Sequence, residues 1–229
     1  MRWIVLPRGR VWVIAAAVLL VFVGALFVFR GCVSSVSIDK ESFLAESLET
    51  TKAAQTYRYR IDSRLGGADR ETEYLSKIEG EYAGADRVHI KGTLANNPIE
   101  FIQVDDTTYM RDQISGAWLS LQGNRLAQTE LFITELNPLA VFEFKDIPVS
   151  EFKGQDGKYQ LIELKPMVQN PYLDLAFTDF TYKIWVNPRD KRIAKTEISA
   201  VSKSNEKETL DICIEFKDYD KEISIQPPQ

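Results

Sequence analysis

Period-two alternation is the feature that most restricts how this chain can fold. In YRYRIDSRL, Tyr57, Tyr59, Ile61, Ser63 and Leu65 point one way, and Arg58, Arg60, Asp62 and Arg64 the other. Successive side chains leave opposite faces of a strand, so this is the signature of a strand with one buried face. The pattern returns in YLSKIEGEY, where Tyr74, Ile78 and Tyr82 oppose Lys77, Glu79 and Glu81. Further strands read as RVHIKGTL, IEFIQV, TTYMRD, GAWLSLQ, YQLIELKP, FTDFTYKIWVNP, RIAKTEISAVSK and ETLDICIEFKDY. Turn chemistry separates them at GGAD (66–69), Asn96-Asn97-Pro98, Asp105-Asp106 and Asn187-Pro188-Arg189-Asp190. Strands joined by short turns pair antiparallel, and such a sheet buries one face. The expectation is an α+β fold, mainly β, built on one antiparallel sheet of about ten strands.

Two segments break the pattern. KESFLAESLETTKAAQ (40–55) places Leu44, Leu48 and Thr51 at helical spacing, with Asp39 as its N-cap. Residues 125–145, RLAQTELFITELNPLAVFEFK, read as two short helices split at Asn137-Pro138, since proline suits the first helical position.

The N-terminus is of another kind. Residues 11–29 hold no charge, and nineteen residues at about 1.5 Å each nearly match a ~30 Å hydrocarbon core. Arg2, Arg8 and Arg10 precede the run, which predicts a cytoplasmic N-terminus and an extracytoplasmic domain. The organisation is then a basic tail (1–10), a transmembrane signal anchor (11–30), a linker (31–38) and a folded domain (39–229). A cleaved signal peptide and a lipoprotein signal with Cys32 as the acylated residue are the alternatives. All three place the domain outside the cytoplasmic membrane, and the first makes it a single-pass membrane protein.

Composition then narrows the chemistry. Four of 28 basic residues (Arg2, Arg8, Arg10, Arg30) lie at the N-terminus and no acid precedes Asp39. The remainder therefore sets 24 basic against 33 acidic residues, a net charge of −9. Such a surface is unsuited to nucleic acid, whose phosphates need a basic face. Cys32 and Cys213 are the only cysteines and His89 is the only histidine. Zinc sites, haem ligation and Ser/His/Asp chemistry usually need more of both. His89 falls on the polar phase of its strand and reads as solvent-facing. Asp218 and Asp220 share a face but lack the glycine and later glutamate of a calcium loop. Without a metal cluster, cofactor motif or nucleophile–base set, the reading is a binding protein, not an enzyme, with no cofactor.

The strands carry many aromatic side chains: Tyr57, Tyr59, Tyr74, Tyr82, Phe101, Trp118, Phe177, Phe180, Tyr182 and Trp185. One helix cannot cover them all. Either the sheet curls around the helices into an ordinary core, or it leaves a cavity for an apolar ligand.

The order of five segments resembles the LolA/LppX-type lipoprotein-carrier superfamily over about residues 38–227. These are TYRYRIDSRL, GEYAGADRVHIKGTL, TYM…GAWLSL, ELNPLAVFEF and YKIWVNPRDKRIAKTEIS. The resemblance implies a half-open antiparallel β-barrel of about eleven strands, with helices closing its mouth over an apolar cavity. It implies a role in carrying acylated lipids or lipoproteins through a bacterial envelope. Carried onto this chain, the cavity would be lined by Tyr57, Tyr59, Ile61, Phe101, Trp118, Leu131, Phe132, Leu139 and Phe142. The expected partners are acyl chains of a lipid or lipoprotein, and the membrane through the N-terminal helix. A retained anchor departs from the family's soluble or lipidated shuttles and suits local transfer. The competing expectation is an envelope sensor that binds a membrane-protein partner without carrying lipid.

Overall fold

The computed structural model describes residues 40–67, 70–84, 86–123 and 133–228. The expected anchor, Asp39 and Cys32 lie outside the described residues, as do Leu131 and Phe132. Among the described residues no helix is long and apolar enough to cross a membrane.

Helix α1 (Lys40–Lys52) leads into strand β1 (Thr56–Gly67). The first meander continues through β2 (Arg70–Ala83), β3 (Arg87–Leu94), β4 (Asn97–Val104), β5 (Thr107–Arg111) and β6 (Trp118–Gln122). A single helical turn, α2 (Ile133–Leu136), and a 3-10 turn (Pro138–Phe142) follow. The second meander is β7 (Phe144–Asp156), β8 (Tyr159–Val168), a short helix α3 (Pro171–Ala176), β9 (Phe177–Asn187), β10 (Arg192–Ser202) and β11 (Glu208–Lys217).

All eleven strands form one open antiparallel sheet in the order β6-β5-β4-β3-β2-β1-β11-β10-β9-β8-β7. Every neighbour is also a sequence neighbour except β1 and β11, which join the two meanders at the middle of the sheet. The free edges, β6 and β7, are consecutive in sequence but ten strand spacings apart. At about 4.8 Å per spacing that is roughly 48 Å along the sheet. The described part of the connection, residues 133–142, lies on the apolar face. Tyr59 Oη donates to the carbonyl of Glu135 at 2.5 Å, and Tyr182 Oη to the carbonyl of Val141 at 3.1 Å.

Antiparallel partners share a face, so the register divides the side chains cleanly. The inner face carries Tyr57, Tyr59 and Ile61, then Ile78, Val88, Ile90 and Phe101 on one side and Ile214, Phe216, Ile198, Ile184 and Ile162 on the other. Helix α1 lies on it with Phe43, Leu44 and Leu48 buried. Thr51, expected on the same stripe, is fully buried, and its hydroxyl accepts the Ile193 amide at 3.0 Å. The helix stops at Lys52 rather than at 55, where Gln55 N–H instead reaches the Asp220 carboxylate at 3.1 Å.

The outer face is charged and cross-linked by ion pairs: Arg58 with Glu81 and Asp218, Arg60 with Glu79, Arg87 with Asp105, and Lys195 with Glu197. Its apolar exception sits at β4 and β5. There Ile102, Val104, Tyr109 and Trp118 are covered by Ile223 and Ile225 of the chain end after β11. His89 is half-buried on this face, with Nε2 3.4 Å from Glu100.

The junction of α1 and β1 is fastened to the end of β11 by carboxylates. Lys221 and Arg58 hold the Asp218 carboxyl below the usual range, and the Gln55 amide and Arg192 do the same for Asp220. A depressed carboxylate contributes stability above its unfolded value near pH 4 and loses it as pH falls through the folded value. The expected result is a Tm that is flat from neutral pH to about 5 and falls below about 4. Asp220→Asn should lower the plateau and flatten the acid limb; an acid limb identical to that of the parent would remove Asp220 from this role.

Candidate functional site

Of the seven expected lining residues that are described, six come together on the inner face and Trp118 does not. Tyr57, Tyr59, Ile61, Phe101, Leu139 and Phe142 all belong to one continuous buried cluster. Tyr57 stacks on Tyr82 at 4.7 Å and meets the edges of Phe216 and the Tyr59 ring. Phe142 lies 6.1 Å from Phe216. Side chains around an acyl-sized void would keep accessible surface on the void side. Tyr57 at 0 %, Ile61 at 1 % and Phe142 at 1 % keep almost none, so the middle of the inner face is packed by α1, α2 and the 3-10 turn.

Trp118 is the correction. Leu119 pairs with Met110, and Met110 with Phe101, so these three share the inner face. Trp118 pairs with Arg111 one residue out of phase and therefore faces outward. It packs with Ile102, Val104 and Ile225, under an Arg111 guanidinium 5.9 Å from its ring centre. Trp185 is outward as well: its indole N–H donates to Asp156 at 2.8 Å and Lys195 sits 4.8 Å over the ring.

The inner face is not covered throughout. Along the cross-strand row Phe101, Met110, Leu119, exposure climbs from 7 % to 42 % to 51 % toward the β6 edge. Leu121, beside the buried Thr108, is 44 % exposed on the same face. The apolar surface that serves as core under the helices thus continues onto β5 and β6, where no described residue covers it. The sequence does carry a signal for it, in the alternation of Thr108 with Met110 and of Leu119 with Leu121. The larger aromatics Tyr109 and Trp118 sit in the opposite phase and outweigh it by size.

The outer face offers a groove of about 600 Å³ whose lining mixes charged side chains (Arg60, Asp156, Lys195, Glu215) with the aromatics Tyr159 and Trp185. It shares no exposed apolar row with β5 and β6. Among the described residues no group of three or more metal-ligating side chains converges. Cys213 is half-buried on the outer face and free, and burial pushes its thiol above the ordinary range.

The architecture is an open antiparallel sheet whose apolar face is crossed by helical turns of the chain's own β6–β7 connection. The chain has this LolA/LppX-like fold. It is similar to LprF from Mycobacterium bovis, with a TM-score of 0.55 at 13% identity, covering 82% of this chain and 95% of that one. Likenesses at lower TM-score are the lipoprotein LppX of Mycobacterium tuberculosis (0.49, 12% identity, 81% and 99% covered) and a LolA superfamily protein from Nitrosomonas europaea (0.36, 10%, 82% and 94%). No protein-family model matches the sequence, and no curated protein is similar to it in sequence.

Proposed function

We propose that this chain is a membrane-tethered, extracytoplasmic binding protein that holds acyl chains of a lipid or lipoprotein for local transfer or presentation. The carrying observation is the uncovered row Phe101, Met110, Leu119 with Leu121 beside it. An apolar face that continues past its own cover offers burial without covalent chemistry. Each methylene taken from water is worth about 0.8 kcal/mol, so a sixteen-carbon chain gains on the order of 10 kcal/mol before ordering costs. The charge-free run 11–29 is the tether in this reading, which keeps the carrier beside one membrane. The packed middle of the inner face confines the ligand to the β5–β6 side.

That same packing favours a second reading, an envelope interaction module that recognises a membrane-protein partner and carries no lipid. One experiment separates them. Residues 33–229, which contain the whole described core, are expressed in a bacterial host, purified without detergent and extracted with organic solvent for lipid mass spectrometry. Carriage predicts stoichiometric phospholipid or glycolipid, lost from the double variant Met110→Asp, Leu119→Asp with Tm preserved. A folded, lipid-free parent protein would reject carriage and favour the interaction module.

A further inference from the structure

The two free edges of the sheet are built differently. Strand β7 carries Lys145, Asp146, Glu151, Lys153 and Asp156, is interrupted by Pro148, and slips register three times against β8. Charge, proline and irregularity are the devices that keep one edge strand from pairing with another. Strand β6, Trp118-Leu119-Ser120-Leu121-Gln122, has none of them: no charged residue, no proline and an unbroken register with β5. Among the described residues no strand pairs with its outer side.

The ladder with β5 shows which groups that side presents. Hydrogen-bonded and non-hydrogen-bonded pairs alternate along an antiparallel ladder. The Asp112 amide donates to the Ala117 carbonyl at one end of β6, and the Gly123 amide to the Asp106 carbonyl at the other, both at 2.8 Å. Both bonds set the same phase. Leu119 and Leu121 exchange bonds with Met110 and Thr108, so Trp118, Ser120 and Gln122 turn their N–H and C=O groups to the free side.

We propose that this edge pairs with the β6 edge of a second copy of the chain, antiparallel about a two-fold axis at Ser120. Ser120 then lies opposite the partner's Ser120, and Trp118 opposite the partner's Gln122, so every outward N–H and C=O of β6 is matched. On the inner face Leu119 meets the partner's Leu121. The row Phe101, Met110, Leu119, exposed to 51 % at its last member, thus runs on into the second copy. Like charges opposite one another destabilise a strand pair, and β6 brings none to its own copy. Pairing β6 with a second molecule's β7 is head-to-tail and does not close, and the proline and charges of β7 oppose it. Two β6 edges close on each other and leave a protected β7 at both outer margins. The pairing does not rest on acyl-chain carriage: a dimer can form and carry nothing, and a monomer can carry.

The test uses the full chain in a Cys32→Ser, Cys213→Ser background, reconstituted into phosphatidylcholine vesicles, with one cysteine introduced by Ser120→Cys, Gln122→Cys or Ser150→Cys. Across the axis, position 120 lies about 5.5 Å from its counterpart, Cα to Cα, within disulfide reach. Position 122 lies roughly 14 Å from its counterpart, beyond that reach, and position 150 is on the β7 edge. Mild oxidation with copper–phenanthroline should give a disulfide-linked dimer at 120 and not at 122 or 150. Adding Gln122→Pro to Ser120→Cys removes an outward N–H that the pair needs and should abolish the dimer. All three side chains are exposed and an edge tolerates proline, so Tm should stay near that of the cysteine-free parent. No dimer at 120 would overturn the proposal and leave the edge to an extended segment of a different protein. Equal cross-linking at all three positions would overturn it as random collision. The outcome is read without reference to co-purified lipid, so failure here and failure of the carriage reading are separate results.

Discussion

Replacing Tyr59 by alanine should cost about 3 to 5 kcal/mol, the cost of emptying a buried aromatic site. Tyr59 is 2 % exposed and sits directly on the backbone of Gly80, where a Cβ would lie 2.1 Å from the ring. Its hydroxyl is also the link to the crossing segment, through the Glu135 carbonyl. The conservative variants separate those two roles. Tyr59→Phe keeps the ring but leaves a carbonyl short of a partner, at about 1 to 3 kcal/mol. Tyr57→Phe should behave in the opposite way, because the Tyr57 hydroxyl is buried and has no partner among the described residues. Removing it should be neutral or stabilising by up to about 1 kcal/mol. Denaturant unfolding supplies the energies, and hydrogen exchange supplies the location: amides of residues 133–142 should exchange faster in Tyr59→Phe but not in Tyr57→Phe. Equal losses in the two phenylalanine variants would refute the assigned hydrogen bonding.

Gly92→Ala is expected to be the most damaging glycine substitution in the sheet. A Cβ there would meet the Lys77 carbonyl oxygen at 1.9 Å, and that oxygen belongs to backbone held in the β2–β3 ladder. A flexible side chain could move aside; paired backbone moves only by breaking the pairing. The expected loss is about 3 kcal/mol, the upper part of the usual range for overpacking. Gly157→Ala is the control. It has φ of +60° in the β7–β8 turn, with nothing within 4 Å of its Cβ position. It should therefore cost only the left-handed penalty, about 1 to 2 kcal/mol. Similar losses at both glycines would show that the β2–β3 backbone yields.

Much of this fold was legible as alternation. The buried phases of β1, β2, β3, β9, β10 and β11 follow the pattern visible in the chain, as does the α1 stripe. The LolA/LppX-like fold expected from segment order is the fold observed. Strand β7 was not legible. Its sequence, FKDIPVSEFKGQD, is interrupted by Pro148 and by three register irregularities against β8, and as an edge strand it has little burial to impose a period. The crossing segment was expected to stay helical to 145 but turns extended at Phe144, where it becomes that edge. Trp118 and Trp185 misled because aromaticity signals burial without saying on which face. The uncovered row was missed for the converse reason. Met110 and Leu119 are modest side chains on short strands, and only the register shows that they extend the core face.

The central pairing of β1 with β11 has a kinetic consequence. Ile61 lies opposite Ile214, so the middle of the sheet cannot close until nearly the whole chain is available. Contacts of such sequence separation slow folding, and until they form, β1 presents an unpaired apolar edge. If the chain emerges N-terminus first, the first meander must wait for the last strand. A C-terminal deletion that reaches into β11 would then leave two unjoined meanders, each exposing half of a core.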